Sequence, residues 1–404
     1  MMKDTFKSIL YWYDNNCILI LIVSIAFLMR IYLAATLPYI EVEEKEYIPL
    51  AESISLRGDR LNLPIRGWHH PALPAYLIEA GSLLLGKHPV GFRFFGIITG
   101  IFMIVVASRF ANMWGGPVAA CWTTALLAFN EYHIGASVMA GDIIYYYAFA
   151  MLALYYFYLF LQKEAPRYLF ASSAMIGLGF LCREIIVLFI PVFVAYLLSS
   201  RYRFWLKRKE PYLAFFLFLL IIAPDLYWNV NAIENHQVRF SDQLSRIGGI
   251  GFTPNYLLFY TRGIFQIFGW EYIDDYKEFP SMNFVFGTIF IGCVVTMTLR
   301  RKREDFTRDL MLLTFWSILL FFMLIHPSKK LSHRLEDNIG WLWIDLTMLP
   351  AALLTGGCVA SLEKKWKLLA YIALCAGIFY AVARVVMVRS IGLAEPGEIA
   401  WGKF

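Results

Sequence analysis

Charge is what this sequence has least of. Only 16% of its 404 residues are Asp, Glu, Lys or Arg, against 59% hydrophobic, and the mean hydropathy is +0.59. Soluble domains carry about a quarter charged residues, and a chain this apolar has too few polar groups to cover a water-facing surface. A water-soluble globular protein is therefore excluded. Metal-cluster spacing is also missing. The six cysteines (Cys17, Cys121, Cys182, Cys293, Cys358, Cys375) show no CxxC or CxxH pattern, so packing is their expected role, not a zinc cluster or disulfide framework. The net charge of +6 means little until the bases are placed, and no nucleic-acid partner is expected.

A removable leader is not expected either. MMKDTFKSILYWYDNNC carries an acid among its few bases, and no small-residue cleavage pattern follows the apolar run from Cys17 to Leu37. That run is expected to stay as a helix. There is no repeat period, and no inverted pair of Gly/Pro-broken helices of the kind a transporter would show.

What is present is a series of apolar runs at 16–37, 91–109, 115–130, 143–161, 168–182, 185–199, 211–229, 282–299, 309–326, 342–360 and 367–388. They predict an all-α polytopic bundle of about eleven spans, each near the length that crosses a ~30 Å hydrocarbon core. The basic runs SRYRFWLKRKE, RRKRED and EKKWK, with the milder QKEAPR, fall at alternate connections. Short Lys/Arg-rich loops face the cytoplasm, which puts the N-terminus inside. The expected organisation is one membrane domain, 1–404: a first span, an outer loop at 38–90, spans over 91–229, a long outer loop at 230–281, spans over 282–388, and an outer tail at 389–404.

The carboxylates then gather outside, Glu41, Glu43, Glu44 and Asp142 among them, with Arg66, His69, His70, Arg93, Arg183, Lys329, Lys330 and Arg334 on the same face. Loops over a rigid scaffold are where catalytic groups tend to sit. Residues 43–57 predict a short interfacial helix with Tyr47, Leu50 and Ile54 on one face, and 73–85 a second one after Pro71. Glu43 and its neighbours thus begin where the first span ends; they fit equally a solvated acidic cap and a carboxylate reaching a lipid headgroup.

The order of these elements resembles the GT-C superfamily, and within it the protein O-mannosyltransferase and aminoarabinose-transferase group. Glu43-Glu44 with Tyr47, followed by Gly58-Asp59, stand where that group carries an Asp-Glu pair. His70-Pro71-Ala72-Leu73 is similar to its Lys/His-Pro-Pro-Leu element, Leu84-Leu85-Gly86 to its Leu-Phe-Gly, and Arg93 to the Arg opening its next helix. Asp142 in SVMAGD, Arg183 in GLGFLCRE, and Pro224, Trp228 and Asn229 in APDLYWNVN continue the likeness, which covers 30–245 and reaches the last four helices only by hydropathy. Two departures stand out: the acidic pair is Glu-Glu with Glu41 nearby, and Ala72 replaces a Pro. The chain is shorter than many relatives and is expected to lack a separate soluble outer domain.

The resemblance implies a GT-C-type membrane glycosyltransferase of the cytoplasmic (inner) membrane, working on its outer face. It would move a sugar, with inversion, from a polyprenyl-phosphate donor to lipid A, a surface polysaccharide or protein. Sugar-phosphate lipids already carry a good leaving group, so the chemistry requires a base near the acceptor and positive charge on the departing phosphate. Glu43 is the first choice for base, with Glu44 and Glu41 behind it. Arg93, Arg183, His70, Lys329 and Lys330, with Arg334 in reserve, are the phosphate candidates, since Arg offers phosphate a fixed fork of donors. Tyr47, Asp142, Trp68 and His69 are candidates for holding substrate. Asp142 fits equally an N-cap before IIYYYAF, and Arg183 an ion pair with Glu184 or Asp142, or a snorkelling base; Arg30 reads as snorkelling or structural. No metal-ligand set is expected, because adjacent histidines on an extended segment point apart. No cofactor is assigned, although some relatives hold a divalent ion at the carboxylates. The competing reading is a transporter or flippase of lipid-linked sugars, which would place ionisable groups near mid-membrane; an assembly subunit would need no acid in the first loop.

Overall fold

The computed structural model describes residues 2–37, 43–53, 71–199, 201–234, 247–250, 284–299, 305–327 and 345–390. In chain order the helices are α1 (Met2–Thr36), α2 (Glu43–Ser53), α3 (Leu73–Leu85), α4 (Pro89–Phe129), α5 (Glu131–Val138), α6 (Ile143–Lys163), α7 (Pro166–Phe180), α8 (Phe189–Leu197), α9 (Glu210–Glu234), α10 (Phe284–Leu299), α11 (Phe306–Leu324), α12 (Met348–Ala360) and α13 (Lys364–Ser390). Each apolar run predicted from the sequence overlaps a helix among the described residues. Among the described residues five stretches are long and apolar enough to cross a membrane: Cys17–Thr36, Pro89–Phe129, Ile143–Lys163, Glu210–Tyr227 and Lys364–Ala383. Shorter apolar helices include Leu73–Leu85, Gly287–Leu299 and Met348–Ala360.

Local chemistry explains the breaks. Proline stands in the first turn of α3, α4 and α7, where its missing N–H has no helical partner to lose. Within α4 the break stands at Gly116, inside the expected run 115–130 and not in the expected gap at 110–114; its φ of 71° an L side chain resists, and Pro117 starts the helix that follows. The run at 185–199 is only partly α-helical: a 3-10 turn over Glu184–Leu188 precedes α8.

The core sits around α4 and α6. The α6 span is 78% buried, whereas the spans of α9 and α13 are 17% buried each, so the latter two form the rim. Their large apolar side chains, such as Phe215, Phe216, Leu220, Leu368 and Phe379, lie exposed, as a lipid-facing surface requires. Small residues let helices approach, the usual device when lipid removes the hydrophobic drive between them. A Cβ on Gly356 of α12 would stand 2.6 Å from the Ala119 carbonyl oxygen of α4, and Thr123 Oγ1 donates to the Ala352 carbonyl at 3.2 Å.

Polar ties gather the connections at the two ends. At one end the Tyr202 hydroxyl donates to the Leu161 carbonyl at 3.3 Å, and the Tyr196 hydroxyl to that of Phe306 at 3.0 Å. Trp114 Nε1 reaches both Asp305 oxygens there at 3.1 Å. This end carries the basic connections. At the other lie the C-terminus of α1, α2, α3, α5 and the end of α7. The expected interfacial helices are α2 and α3; α3 has the predicted bounds, while α2 ends at Ser53 and Ile54 lies outside the described residues. A feature the sequence did not suggest is a short antiparallel ladder of β1 (Ile247–Ile250) and β2 (Ile325–Pro327), pairing Ile250 with Ile325 and Gly249 with His326. It ties the 230–281 loop to the end of α11.

Candidate active site

Helix α2 is short and acidic, and one face is apolar. Tyr47, Leu50 and Ala51 on that face pack with Ala75 and Ile78 of α3, Phe92 of α4 and Ala140. This small cluster, separate from the main core, seats the first outer loop on the bundle. Burying that face forces Glu44, one turn before Tyr47, under cover as well. A buried carboxylate must be paired or become neutral.

Its partner is Arg93. Arg93 Nε donates to Glu44 Oε1 and Nη2 to Oε2, each at 2.7 Å, and neither side chain is exposed at all. Arg93 Nη1 donates to the Ala34 and Leu37 carbonyls at 2.9 and 3.0 Å. Ala34 belongs to the final turn of α1 and Leu37 directly follows it, where the helix dipole presents its negative end to a cation. Glu44 Oε1 also accepts the Ala140 N–H at 2.8 Å. One charge pair thus ties α1, α2, α4 and the turn after α5.

A second pair lies beside it. Arg183 Nη1 stands 3.0 Å from each oxygen of Asp142, which precedes α6. Asp142 makes no side-chain cap bond to that helix, so its reading as an N-cap gives way to the ion pair. The Arg183 guanidinium lies 5.8 Å from the Tyr146 ring centroid, and the Tyr47 hydroxyl favours the charged form of the Asp142 carboxyl. Burial pushes that carboxyl upward; the Arg183 charge and the Tyr47 hydroxyl push it back, and burial prevails. Arg183 follows the end of α7 in extended conformation, and its side chain is 12% exposed where Arg93 is enclosed. The Leu73 N–H donates to the Leu181 carbonyl at 3.2 Å, so the chain arriving through Pro71 docks on the turn that carries Arg183.

Of the residues singled out in the sequence, Glu44, Tyr47, Arg93, Asp142 and Arg183 converge here. Glu43 heads α2, but its side chain lies outside the described residues, as do Glu41, Trp68, His69, His70, Lys329, Lys330 and Arg334. Among the described residues no three His, Cys, Asp or Glu side chains cluster as a metal site would require. Sequence reasoning missed the Ala140 N–H, a backbone group with no residue-type signal, and the partners of Arg30. Arg30 does not snorkel: it is fully buried, bonded to the Ala26 and Ala128 carbonyls and to His133.

Known proteins share both the sequence pattern and the fold. Residues 69–228 match the family described as dolichyl-phosphate-mannose-protein mannosyltransferase. The structure of ArnT from Cupriavidus metallidurans bound to undecaprenyl phosphate superposes with a TM-score of 0.69 at 16% identity, covering 93% of this chain and 65% of that one. Its apo state gives 0.64 at 17% identity, over 86% and 60%. The Archaeoglobus fulgidus oligosaccharyltransferase tethered with an acceptor peptide gives 0.51 at 13% identity, over 94% and 54%. This chain therefore spans less than two thirds of the length of these solved chains. No curated protein sequence matches it. The likeness read over residues 30–245 thus has a counterpart in the helical fold shared with these solved chains.

Proposed function

We propose that this integral membrane protein is a glycosyltransferase that moves a sugar from a polyprenyl-phosphate carrier to an acceptor on the extracytoplasmic face, with inversion. The observation that carries the proposal is the pairing of Glu44 with Arg93 at the head of α2, beside Asp142 and Arg183. Both oxygens of Glu44 accept charge-assisted bonds and water does not reach them, which suits a brace and not a base. By the same token Arg93 is committed to Glu44 and to α1, and is withdrawn from the phosphate candidates. The general base falls to Glu43, the neighbouring acid, with Glu41 behind it.

In this reading an acceptor hydroxyl or amine attacks the anomeric carbon from the face opposite the phosphate while Glu43 takes its proton. The bond from the anomeric carbon to the phosphate oxygen breaks, and the electron pair leaves on the lipid phosphate. Arg183, the more accessible of the two site arginines, receives that charge, with His70, Lys329, Lys330 and Arg334 as further cations; Trp68 and His69 are the candidates for holding the sugar, while Tyr47, enclosed in the α2–α3 cluster, is withdrawn. Arg suits the task because its donors are always charged and fixed in a plane. The ArnT structure with undecaprenyl phosphate supports a lipid-phosphate donor for a protein of this fold. That both buried carboxylate–arginine pairs lie at one end of the bundle supports an enzyme over a transporter, which would need charges along a mid-membrane path. The inner bacterial or archaeal membrane, with the N-terminus cytoplasmic, is the proposed location.

The test is transfer by purified protein supplied with radiolabelled polyprenyl-phosphate sugars and crude envelope acceptors, wild type beside Glu43→Gln. Transfer by the wild type, reduced about a hundredfold or more in the variant, is expected for a lost base. Equal transfer by both would move the base to Glu41. Absence of turnover with every donor would favour a flippase of lipid-linked sugars.

A further inference from the structure

Arg30 stands within the apolar run of α1, where a charge is costly and is kept when it fixes something. Its Nη1 donates to Ala26 on its own helix at 3.0 Å and to Ala128 at the end of α4 at 3.1 Å. Its Nη2 lies 2.8 Å from Nδ1 of His133 in α5. A guanidinium can only donate. His133 Nδ1 must therefore accept, which fixes the ring as the neutral tautomer protonated on Nε2. That Nε2 is buried with no hydrogen-bond partner among the described residues. Orphaned buried donors are rare and call for a reason; here the ring's placement is dictated from the other nitrogen.

Helix α5 has only eight residues and could not persist by itself. Asn130 caps it by accepting the His133 N–H at 2.9 Å, and the Ser137 hydroxyl returns to the His133 carbonyl at 2.6 Å. On the α4 side Gly96 leaves it room, since a Cβ there would stand 2.9 Å from the Ser137 carbonyl oxygen. The chain leaving α5 delivers Ala140, whose N–H holds Glu44, and then Asp142, which holds Arg183. Apolar contact alone would let so short a helix slide or roll; a directional bond from a fixed guanidinium does not.

We propose that Arg30 and His133 are positioning residues: their bond sets α5, and through it the Ala140 amide and the Asp142 carboxylate that hold Glu44 and Arg183 in register for transfer. The inference rests on the glycosyltransferase reading above. Three variants separate it from simple core filling. His133→Asn keeps an acceptor where Nδ1 stands, His133→Leu removes it, and Arg30→Met with His133→Leu replaces the pair by apolar groups. Each is assayed for kcat and donor KM, for thermal midpoint, and for hydrogen exchange of the 139–142 amides.

The leucine variant and the double variant are expected to lose about tenfold or more in kcat with little change in KM, as misplacement of a site does. Both should exchange the 139–142 amides faster. The double variant should regain the wild-type midpoint without regaining kcat, while His133→Asn keeps both. Recovery of kcat together with the midpoint in the double variant, or unchanged exchange at 139–142 in both leucine-bearing variants, would overturn the proposal. A wild type inactive with every donor would sink the enzyme reading instead, and the exchange data would still judge the positioning role.

Discussion

Arg93 and Glu44, 49 residues apart in sequence, face each other through two parallel bonds of 2.7 Å in a place water does not enter. Removing one partner strands the other's charge in a low-dielectric setting, which costs about 3–5 kcal/mol. Arg93→Met is expected to lose stability in that range, while Arg93→Met with Glu44→Leu should lie closer to the wild type. Denaturant titration of the purified protein reads the difference. Equal losses in the single and double variants would mean that the pair braces nothing.

Arg183 is the partly exposed member of the second pair and the proposed receiver of the phosphate. A charge-assisted hydrogen bond contributes about 1.5–3 kcal/mol. If the proposed donor site is right, undecaprenyl phosphate should raise the thermal midpoint of the wild type, and Arg183→Gln should weaken its binding by roughly ten- to a hundredfold, seen as loss of that stabilisation. Undiminished stabilisation would remove Arg183 from the donor site.

The buried imidazole of His133 makes the fold sensitive to acid. Burial first, then the Arg30 charge, holds it well below its ordinary 6.5. Between that lowered value and 6.5 the unfolded chain binds more protons than the folded one, so stability rises with pH. The contribution is complete above pH 6.5 and is lost as pH falls through the folded value. The thermal midpoint of the wild type should drop on acidification below pH 6.5, and that of His133→Asn should drop less. Parallel curves would show that another group carries the dependence.

Helix contact through small residues predicts a contrast between two glycines. A side chain at Gly356 meets the Ala119 backbone, which cannot yield, whereas a Cβ at Gly292 meets nothing within 4 Å among the described residues. Gly356→Leu should cost about 1–3 kcal/mol as an overpacked site does, and Gly292→Leu should be close to neutral. Their thermal midpoints decide; similar losses would contradict the close approach of α4 and α12.

Most of the helices were legible because lipid demands long apolar runs, and the break within α4 was read a few residues early, at 110–114 instead of Gly116. The α3 bounds and the buried face of Tyr47 and Leu50 were equally plain from periodicity. The choice among acids was not. Glu41, Glu43 and Glu44 are alike as letters; what singles out Glu44 is the Ala140 amide and an arginine whose other bonds end on α1, all set by tertiary placement. Arg30 was visible as a charge inside an apolar run, but its partner stands 103 residues away on a helix too short to announce itself. The β1–β2 ladder joins two loops whose strands span four and three residues, below what alternation can signal.

The central claim is that a carboxylate heading α2 takes the acceptor's proton while its neighbour Glu44 only braces the fold. Single-turnover transfer from a radiolabelled undecaprenyl-phosphate sugar, compared between Glu43→Gln and the wild type at equal thermal stability, tests it most directly. The account predicts a rate about a hundredfold lower or worse, with the midpoint unchanged. A rate equal to the wild type's would contradict it.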